Sequence, residues 1–337
     1  MLTPLLGSAL LAGKSPGIIV GPIARFLGMI YNILFNFIYS FIRSGSLGIA
    51  IILFTIFVKL ILIPLFFTSQ KSTYKMQKLQ TELNKIREKY ADKKDQASQQ
   101  RMAYEMQEFQ KKNGINLFGG CLPLLIQLPI LYALFYIFRS AYLYVDVIGT
   151  NYANIAQAIV EIPAQLRMDV FGEYAQKFYD TTKIPIDMSI VSDVVQVVNS
   201  IGIKDWNSII QSLGSNASNI TPLIELKNEI ELFMGISLIT SPGLSFPGII
   251  VPLLSGFSTW VSSKIMMRNQ SNNDPATANM TRSMNLVMPV MMCFMTINVP
   301  AGLGIYWTVS NIIQLVQSVA VQKYFRYKDK TGETLVK

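Results

Sequence analysis

The 337-residue sequence has no histidine and only two cysteines. Histidine is the commonest general base and metal ligand, so its absence removes the usual residue from most catalytic and metal sites. Cys121 and Cys293 both lie in apolar segments, which is more typical of small buried residues than of a redox or metal pair. We therefore expect no catalytic residue, no metal site and no cofactor.

Charge is also scarce, at 15% of residues against roughly 25% in soluble domains. Four long segments are almost free of charge: 44–70, 113–138, 232–263 and 283–322. A membrane-spanning helix needs about 20 apolar residues, and the fourth segment is long enough for two. Because the sequence NVPAG at 298–302 indicates a turn within it, the four segments predict five transmembrane helices.

The predicted fold class is an all-α polytopic membrane protein with a five-helix core. The segment 18–42 would allow a sixth span, but Pro22 and Arg25 interrupt its start, so we expect it to lie in the membrane interface. The predicted parts are a leader or disordered start (1–17), an interfacial amphipathic helix (18–43), transmembrane helix 1 (44–67), a cytoplasmic helical hairpin (68–112), transmembrane helix 2 (113–143), an extracellular subdomain (144–245), transmembrane helix 3 (246–264), a cytoplasmic loop (265–282), transmembrane helices 4 (283–299) and 5 (301–322), and a basic cytoplasmic tail (323–337).

The orientation follows from the distribution of lysine and arginine. The segment 68–112 carries 11 basic and 6 acidic residues, whereas 144–245 carries 5 basic and 11 acidic residues. Cytoplasmic loops of membrane proteins are enriched in basic residues. The charge pattern therefore predicts the hairpin, the loop 265–282 and the tail in the cytoplasm, with the N-terminus outside.

The two long loops have different patterns. In 68–112, apolar residues recur at three- and four-residue steps on both sides of the polar stretch ADKKDQAS, which predicts an antiparallel helical hairpin. Its apolar stripes either hold the two helices together or meet lipid headgroups or another protein. The outer segment is too long for a simple loop, so we expect a small, mainly helical subdomain.

Lys59 is the only charged residue in 44–70. An ammonium inside a membrane span costs roughly 2.5–3.5 kcal/mol on insertion scales. Lys59 precedes Phe67, the predicted end of the span, by eight residues, or roughly 12 Å along a straight helix. Its long side chain could reach the cytoplasmic headgroups, or it could face a water-filled groove. The spacing leaves both alternatives open.

Other spans also carry polar residues. Thr55 lies four residues before Lys59 and shares its helix face, while Gln127 lies within the second span. Hydrogen bonds between helices, worth about 0.6 kcal/mol each in membranes, would explain one polar residue in a span. They explain less readily three spans that each carry polar residues, one of them with a cation. A shared hydrated cavity or groove is therefore favoured. The last span contributes four residues that share one face: Trp307, Ser310, Asn311 and Gln314.

Two other function classes fit this pattern less well. A small-solute or ion transporter could use Lys59 as a binding or coupling charge, but the sequence has no internal repeat and no acidic residue inside any span. An intramembrane enzyme would need a nucleophile and a base, and no such pair is evident. The sequence therefore favours a protein that is not an enzyme.

Three segments resemble the YidC/Oxa1/Alb3 membrane protein insertases. In chain order they read FTIFVKLILIPLFFTSQKSTYKMQKLQ, NLFGGCLPLLIQLPILYALFYIFR and MNLVMPVMMCFMTINVPAGLGIYWTVSNIIQLVQ. The resemblance covers about 20–326 except the outer segment. It implies a five-span insertase and chaperone of the bacterial plasma membrane, working without ATP. Its groove would be open to the cytoplasm and to lipid, and closed on the outside.

The resemblance also implies roles for particular residues. Lys59, with Thr55 one turn before it, would attract the acidic outer tail of a substrate. Gln127 matches the groove glutamine, and Tyr306 and Trp307 match an aromatic pair near the substrate path. The implied partners are nascent membrane proteins and the lipid bilayer. A Sec translocon and the ribosome are left open, and no nucleic-acid binding is expected.

The sequence departs from the family in three places. The family usually has arginine where Lys59 stands, and lysine keeps the charge but loses the rigid fork of donors. Asn116-Leu117-Phe118 stands where the family usually has Asn-Pro. The outer segment is longer than the typical connection, so its role does not follow from the resemblance.

Overall fold

The computed structural model describes residues 17–93, 95–114, 122–267 and 275–331, and it omits the side chains of 19, 122–124, 266–267 and 275–285. Residues 1–16 of the predicted leader, Asn116-Leu117-Phe118, Cys121 and residues 268–274 of the predicted loop 265–282 lie outside the described residues. The described chain is mostly helical, as expected from the sequence. It divides into two compact units: a first unit of 1–54, 129–253 and 294–306, and a second unit of 55–128, 254–293 and 307–337.

Helices account for nearly all of the regular structure. The α-helices of the described residues are α1 (Gly17–Tyr39), α2 (Ser46–Ile61), α3 (Ile63–Lys78), α4 (Gln80–Glu88), α5 (Gln96–Lys112), α6 (Leu122–Arg139), α7 (Ala141–Tyr144), α8 (Asp146–Val160), α9 (Ala164–Thr182), α10 (Val191–Ser200), α11 (Ile203–Leu213), α12 (Thr221–Glu231), α13 (Ile250–Met267), α14 (Pro275–Ile297) and α15 (Ala301–Lys330). A short 3-10 helix covers Gly214–Ala217. The strands β1 (Leu232–Phe233) and β2 (Ile236–Ser237) pair antiparallel, with Leu232 opposite Ser237.

Length and composition single out a few of these helices as candidates to cross a membrane. Within the described residues, α1 is long and apolar enough over Val20–Tyr39, and α2 with α3 qualifies as one bent pair. Shorter apolar stretches occur at Leu125–Arg139 and Leu286–Ile297. The N-terminal helix, expected to lie in the interface, therefore also meets the length requirement for a span.

The helix expected to run straight over 44–67 is broken. The axes of α2 and α3 differ by 60°, and the break falls at Leu62. Pro64 explains it, because proline has no amide hydrogen to donate and its ring clashes with the carbonyl four residues earlier. A new helix begins there, with the amide of Phe66 donating to the Leu62 carbonyl at 2.9 Å. Lys59 consequently lies in the last turn of α2.

In the first unit, the middle of α1 is fixed to the beginnings of α2 and α8. The Tyr31 hydroxyl donates to the carbonyl of Leu47, the second residue of α2, at 3.3 Å. Asn32 accepts from the Asp146 amide at 3.1 Å and donates from Nδ2 to the Asp146 carboxylate at 2.8 Å. Midpoint contacts of this kind place the centre of α1, rather than one of its ends, beside the starts of both helices.

The outer segment 144–245 contains the helices α8 to α12. Its buried core includes the fully buried ring of Trp206, packed against Phe171 with ring centroids 6.3 Å apart. A charged cluster is buried in the same segment: Lys227 Nζ lies 2.7 Å from Glu231 Oε2, and the side chains are 2% and 1% exposed. The Tyr152 hydroxyl donates to the other Glu231 oxygen at 2.5 Å. Burial, and then the nearby Glu231 carboxylate, raises the pKa of Tyr152 well above its ordinary value.

The outer segment is tied back to the start of α15. The amide of Leu238 donates to the Glu231 carbonyl at 3.2 Å, and the Leu238 carbonyl accepts from the Gly302 amide at 2.9 Å. The Ala301 amide donates to the Thr240 carbonyl, also at 2.9 Å. These bonds fix the irregular segment that follows β2 against the first turn of α15.

In the second unit, α15 continues past the predicted end of the last span. The segment expected to be a separate tail from 323 is helical to Lys330. The ring of Phe325 is buried between Phe67 and Tyr74, at centroid distances of 5.1 and 5.3 Å. Asp329 pairs with Lys78 at 2.5 Å and accepts from the Tyr74 hydroxyl. Burial and this hydrogen bond raise the pKa of Tyr74 to about 12.

The helices α4 and α5 lie side by side, and polar contacts join them. Glu105 accepts from Lys89 at 2.9 Å and from the Tyr90 hydroxyl at 2.8 Å, and these bonds lower the pKa of Glu105. Asp95 begins α5 by accepting from the Ser98 amide at 2.9 Å. Leu83 on the apolar stripe is 1% exposed. This burial favours the interpretation that the stripes hold the helices together.

Close packing joins α13 and α14 in the second unit. A Cβ at Gly256 would lie only 2.1 Å from Sγ of Cys293 and 3.0 Å from the Pro289 carbonyl oxygen, so only glycine fits there. Cys293 itself is half-buried. Cys293 therefore packs against a neighbouring helix, as a small structural residue would. It is less buried than expected from the apolar sequence around it.

Candidate functional site

The predicted groove residues belong to three helices. Thr55 and Lys59 lie on α2, Gln127 lies on α6, and the remaining five lie on α15. All except Tyr306 belong to the second unit, so most of the polar groups that the sequence singled out are parts of one compact body.

Lys59 is a half-buried cation on the same helix face as the fully buried Thr55. Nε2 of Gln317 on α15 lies 3.5 Å from the Lys59 carbonyl oxygen, at the limit of hydrogen-bond distance. Among the described residues of the second unit, the Lys59 ammonium has no hydrogen-bond or ion-pair partner. Gln317 was not predicted, although it follows Gln314 by three residues and extends the same polar face.

Asn311 faces α13. Its Nδ2 donates to the Ser258 hydroxyl at 3.0 Å and to the Thr259 hydroxyl at 2.9 Å. The backbone carbonyl of Asn311 accepts from the Ser262 hydroxyl at 3.3 Å. The amide expected to line a groove is therefore used to join two helices, and its two N–H donors are occupied.

The partners of Asn311 form a buried polar seam along α13 that the sequence analysis missed. Ser258 and Thr259 each donate to the Ser255 carbonyl, at 3.0 and 2.8 Å, and can therefore accept from Asn311 with their lone pairs. The spacing of i, i+3, i+4 and i+7 was a visible signal for one shared face. The seam consists of Ser255, Ser258, Thr259 and Ser262, all less than 10% exposed.

The remaining candidates differ in exposure. Gln127, Trp307 and Gln314 are half-buried, whereas Ser310 is 5% and Tyr306 is 2% exposed. Tyr306 and Trp307 are consecutive in α15, where successive side chains point about 100° apart. The two rings of the predicted aromatic pair therefore do not share a helix face.

The helix pair α4 and α5 carries a separate concave surface. An open groove of about 1090 Å³ runs along it, lined by residues of both charge signs together with the exposed ring of Tyr104. Because basic and acidic side chains alternate around the groove and pair across it, as Lys89 and Glu105 do, the surface has no single electrostatic character.

The chemistry available at the eight predicted groove residues is that of one cation, Lys59, and several neutral hydrogen-bonding groups. Among the described residues, no group of three or more His, Cys, Asp or Glu side chains is placed to hold a metal ion. A lone ammonium beside hydroxyl and amide groups can attract and orient an anionic group.

Comparison with known proteins agrees with the sequence resemblance. The family described as "60Kd inner membrane protein" matches residues 37–330. The chain is 28% identical over 306 residues to the membrane protein insertase YidC of Clostridium perfringens, covering 89% of this chain and 90% of that protein. It is 25% identical over 281 residues to the insertase MisCA of Bacillus subtilis, covering 83% and 72%.

A shorter stretch is more similar. Over 125 residues, 36% of this chain, it is 41% identical to the membrane protein insertase YidC of Fusobacterium nucleatum and covers 58% of that protein. The family inferred from three sequence segments is thereby confirmed. With most of its length matched by the family and by these insertases, the chain belongs to the 60Kd inner membrane protein family, the family of the YidC-type membrane proteins.

Proposed function

We propose that this chain is a membrane protein insertase that draws the hydrophilic tail of a substrate into a hydrated groove containing Lys59. The names of its relatives support the insertase function over a transporter. The observation that carries the groove mechanism is the half-buried Lys59 ammonium, which has no partner among the described residues of its unit. A cation left without an ion pair near a membrane is available to an incoming anion.

The physical role of Lys59 is to offset the cost of moving a hydrophilic tail. Transfer of unpaired polar and charged groups into an apolar environment is expensive. Two unit charges 4 Å apart attract by about 1 kcal/mol in water and by about 4 kcal/mol at an effective dielectric constant of 20. An attraction in this range lowers the barrier without holding the tail tightly, so the apolar helix can leave into lipid without ATP.

The proposed arrangement in the membrane keeps 68–112 and the C-terminus in the cytoplasm, with 144–245 outside. In this arrangement α1 lies along the outer interface. The contacts at its midpoint support this: Tyr31 bonds to the start of α2, and Asn32 bonds to the start of the outer segment. A helix crossing the membrane would instead bring one of its ends to those points.

The experiment that tests the groove is insertion of a single-span protein with an acidic outer tail into proteoliposomes. Lys59→Ala is expected to slow insertion at least about fivefold. This corresponds to losing the weaker attraction of about 1 kcal/mol, at a factor of ten per 1.4 kcal/mol. Lys59→Arg keeps the charge and is expected to retain activity. Lys71→Ala removes an exposed lysine on α3 and serves as the matched control.

A neutral-tailed substrate separates the charge effect from general damage, because its insertion should be unaffected by Lys59→Ala. Wild-type insertion of the acidic substrate by Lys59→Ala would refute the mechanism. Cysteines placed at 59 and 314 should react with water-soluble reagents from the cytoplasmic side alone. Reaction from the outer side, or none from either, would contradict a groove that is hydrated and closed outside.

A further inference from the structure

An exposed apolar patch lies where the outer segment meets the spans of the first unit. It consists of Met234, Leu244 and Phe246, which are 84%, 69% and 80% exposed. A Cβ at Gly235 would lie 3.7 Å from Cγ of Pro247, so the tip of the β1–β2 hairpin and the loop that follows are adjacent. Large apolar side chains gathered at one exposed place mark an interaction surface.

The backbone at the hairpin tip presents Met234 outward. Met234 has φ +53° and Gly235 has φ +78°, so both residues of the two-residue turn are left-handed. Turns of this kind favour asparagine, aspartate or glycine at both positions, and a long side chain is uncommon there. Methionine does not favour this turn conformation, so the turn itself does not explain its presence. What Met234 provides is an exposed apolar side chain at the tip of the hairpin.

The patch lies close in the chain to residues bonded to the start of α15 and to the start of α13. The segment after β2 is bonded to the first turn of α15 through the Leu238 and Thr240 carbonyls. Phe246 precedes the first residue of α13, Ile250, by four residues. Leu253, one turn further along α13, is 57% exposed and continues the apolar surface.

We propose that this patch inserts into the outer interfacial layer of the lipid bilayer and anchors the outer segment to the membrane. Lipid is the occupant that fits, because the patch is followed directly by the exposed apolar residues Ile250 and Leu253 in the first turn of α13. The stretch 232–253 contains no charged residue with which a protein partner could be selected. Phenylalanine, leucine and methionine are side chains that enter the boundary between headgroups and acyl chains. The proposal requires α13 to cross the membrane but does not depend on the Lys59 groove.

The test uses the full chain with Cys121→Ser and Cys293→Ser, carrying either Met234→Cys or Phe246→Cys. Each cysteine is labelled with the environment-sensitive dye NBD and reconstituted into vesicles of phosphatidylethanolamine and phosphatidylglycerol. We expect blue-shifted emission at both positions, quenching by lipids with a nitroxide near the headgroup, and little quenching by aqueous iodide. Ile190→Cys is the matched control, since it is an apolar residue of the outer segment that is 48% exposed.

Each other outcome overturns the proposal. Water-like emission with strong iodide quenching at 234 and 246 would show that the patch lies in solvent. A blue shift without nitroxide quenching would show that protein, such as a second copy of the chain, covers it. Equal nitroxide quenching at 190 would show that the whole outer segment lies on the membrane and that this patch is not a specific anchor.

Discussion

The buried ion pair of the outer segment gives the sharpest stability prediction. Replacing Glu231 by glutamine keeps the size of the side chain but removes its charge. Lys227, which is 2% exposed and 2.7 Å from Glu231, would be left as a buried cation without its counterion. The Tyr152 hydroxyl could still donate to the new amide oxygen, so the change acts mainly on the charge pair.

The expected cost is about 3–5 kcal/mol, which is typical of removing one partner from a buried pair. That is a large part of the roughly 5–15 kcal/mol by which a domain is stable. The Lys227 ammonium also lies 5.4 Å from the centre of the Tyr152 ring. This contact remains in the variant and offsets a small part of the loss, of the order of 1 kcal/mol.

Hydrogen–deuterium exchange of the full chain in nanodiscs measures the effect within 144–245. At a factor of ten per 1.4 kcal/mol, exchange of the protected amides in α8 and α12 should rise by about two to three and a half orders of magnitude. Glu225→Gln changes an exposed carboxylate of the same helix and should leave exchange nearly unchanged. The double variant Lys227→Met, Glu231→Leu should recover much of the protection, because it leaves no unpaired charge. Equal exchange in Glu231→Gln and Glu225→Gln would refute the reasoning.

Two further predictions concern other hydrogen bonds. Asn311→Leu removes the donors to Ser258 and Thr259, and at about 0.6 kcal/mol per bond in membranes we expect a loss of stability of about 1 kcal/mol. The loss should be measurable as a lower thermal midpoint in detergent. An unchanged midpoint would contradict a stabilising role for the seam. Because the pKa of Tyr152 is raised in the folded chain, its stabilising effect is complete below the unfolded pKa of about 10 and is lost as the pH rises further. Exchange in α8 should therefore accelerate above pH 10 more steeply in the wild type than in Tyr152→Phe, and equal pH profiles would exclude this origin.

The sequence predicted the family and the mostly helical fold because those properties depend on composition and on long motifs. The four apolar segments are easy to recognise, because Lys59 is the only charged residue in the first of them and none of them contains an acidic residue. A run of 40 residues with NVPAG at its centre indicates two helices, and the structure has Asn298–Pro300 between α14 and α15. These inferences require only local patterns.

The contacts that each polar side chain makes were harder to predict, because they depend on which helices lie next to each other, and the sequence does not show this. Asn311 shares a helix face with Gln314, yet its amide is directed at hydroxyls of α13 that carried no charge or motif to attract notice. Likewise, Lys227 and Glu231 look like an ordinary exposed i, i+4 pair in the sequence. In the structure they are buried together with Tyr152, which bonds to Glu231 from 79 residues away along the chain.

The bend at Pro64 shortens the distance over which the Lys59 side chain would have to reach the cytoplasmic headgroups. On a straight helix the residue would lie about 12 Å from the level of Phe67. When α3 turns by 60°, each of its residues rises only about half of 1.5 Å along the axis of α2, so the separation falls to about 8 Å. At either distance, depth alone does not separate snorkelling from a groove that opens to the cytoplasm. The contact between Gln317 and the Lys59 carbonyl places the polar face of α15 beside the backbone of Lys59, which supports the proposed groove. If the Lys59 ammonium only reaches the headgroups, Lys59→Ala should insert substrates normally. If it lines the groove, Lys59→Ala should insert acidic substrates more slowly.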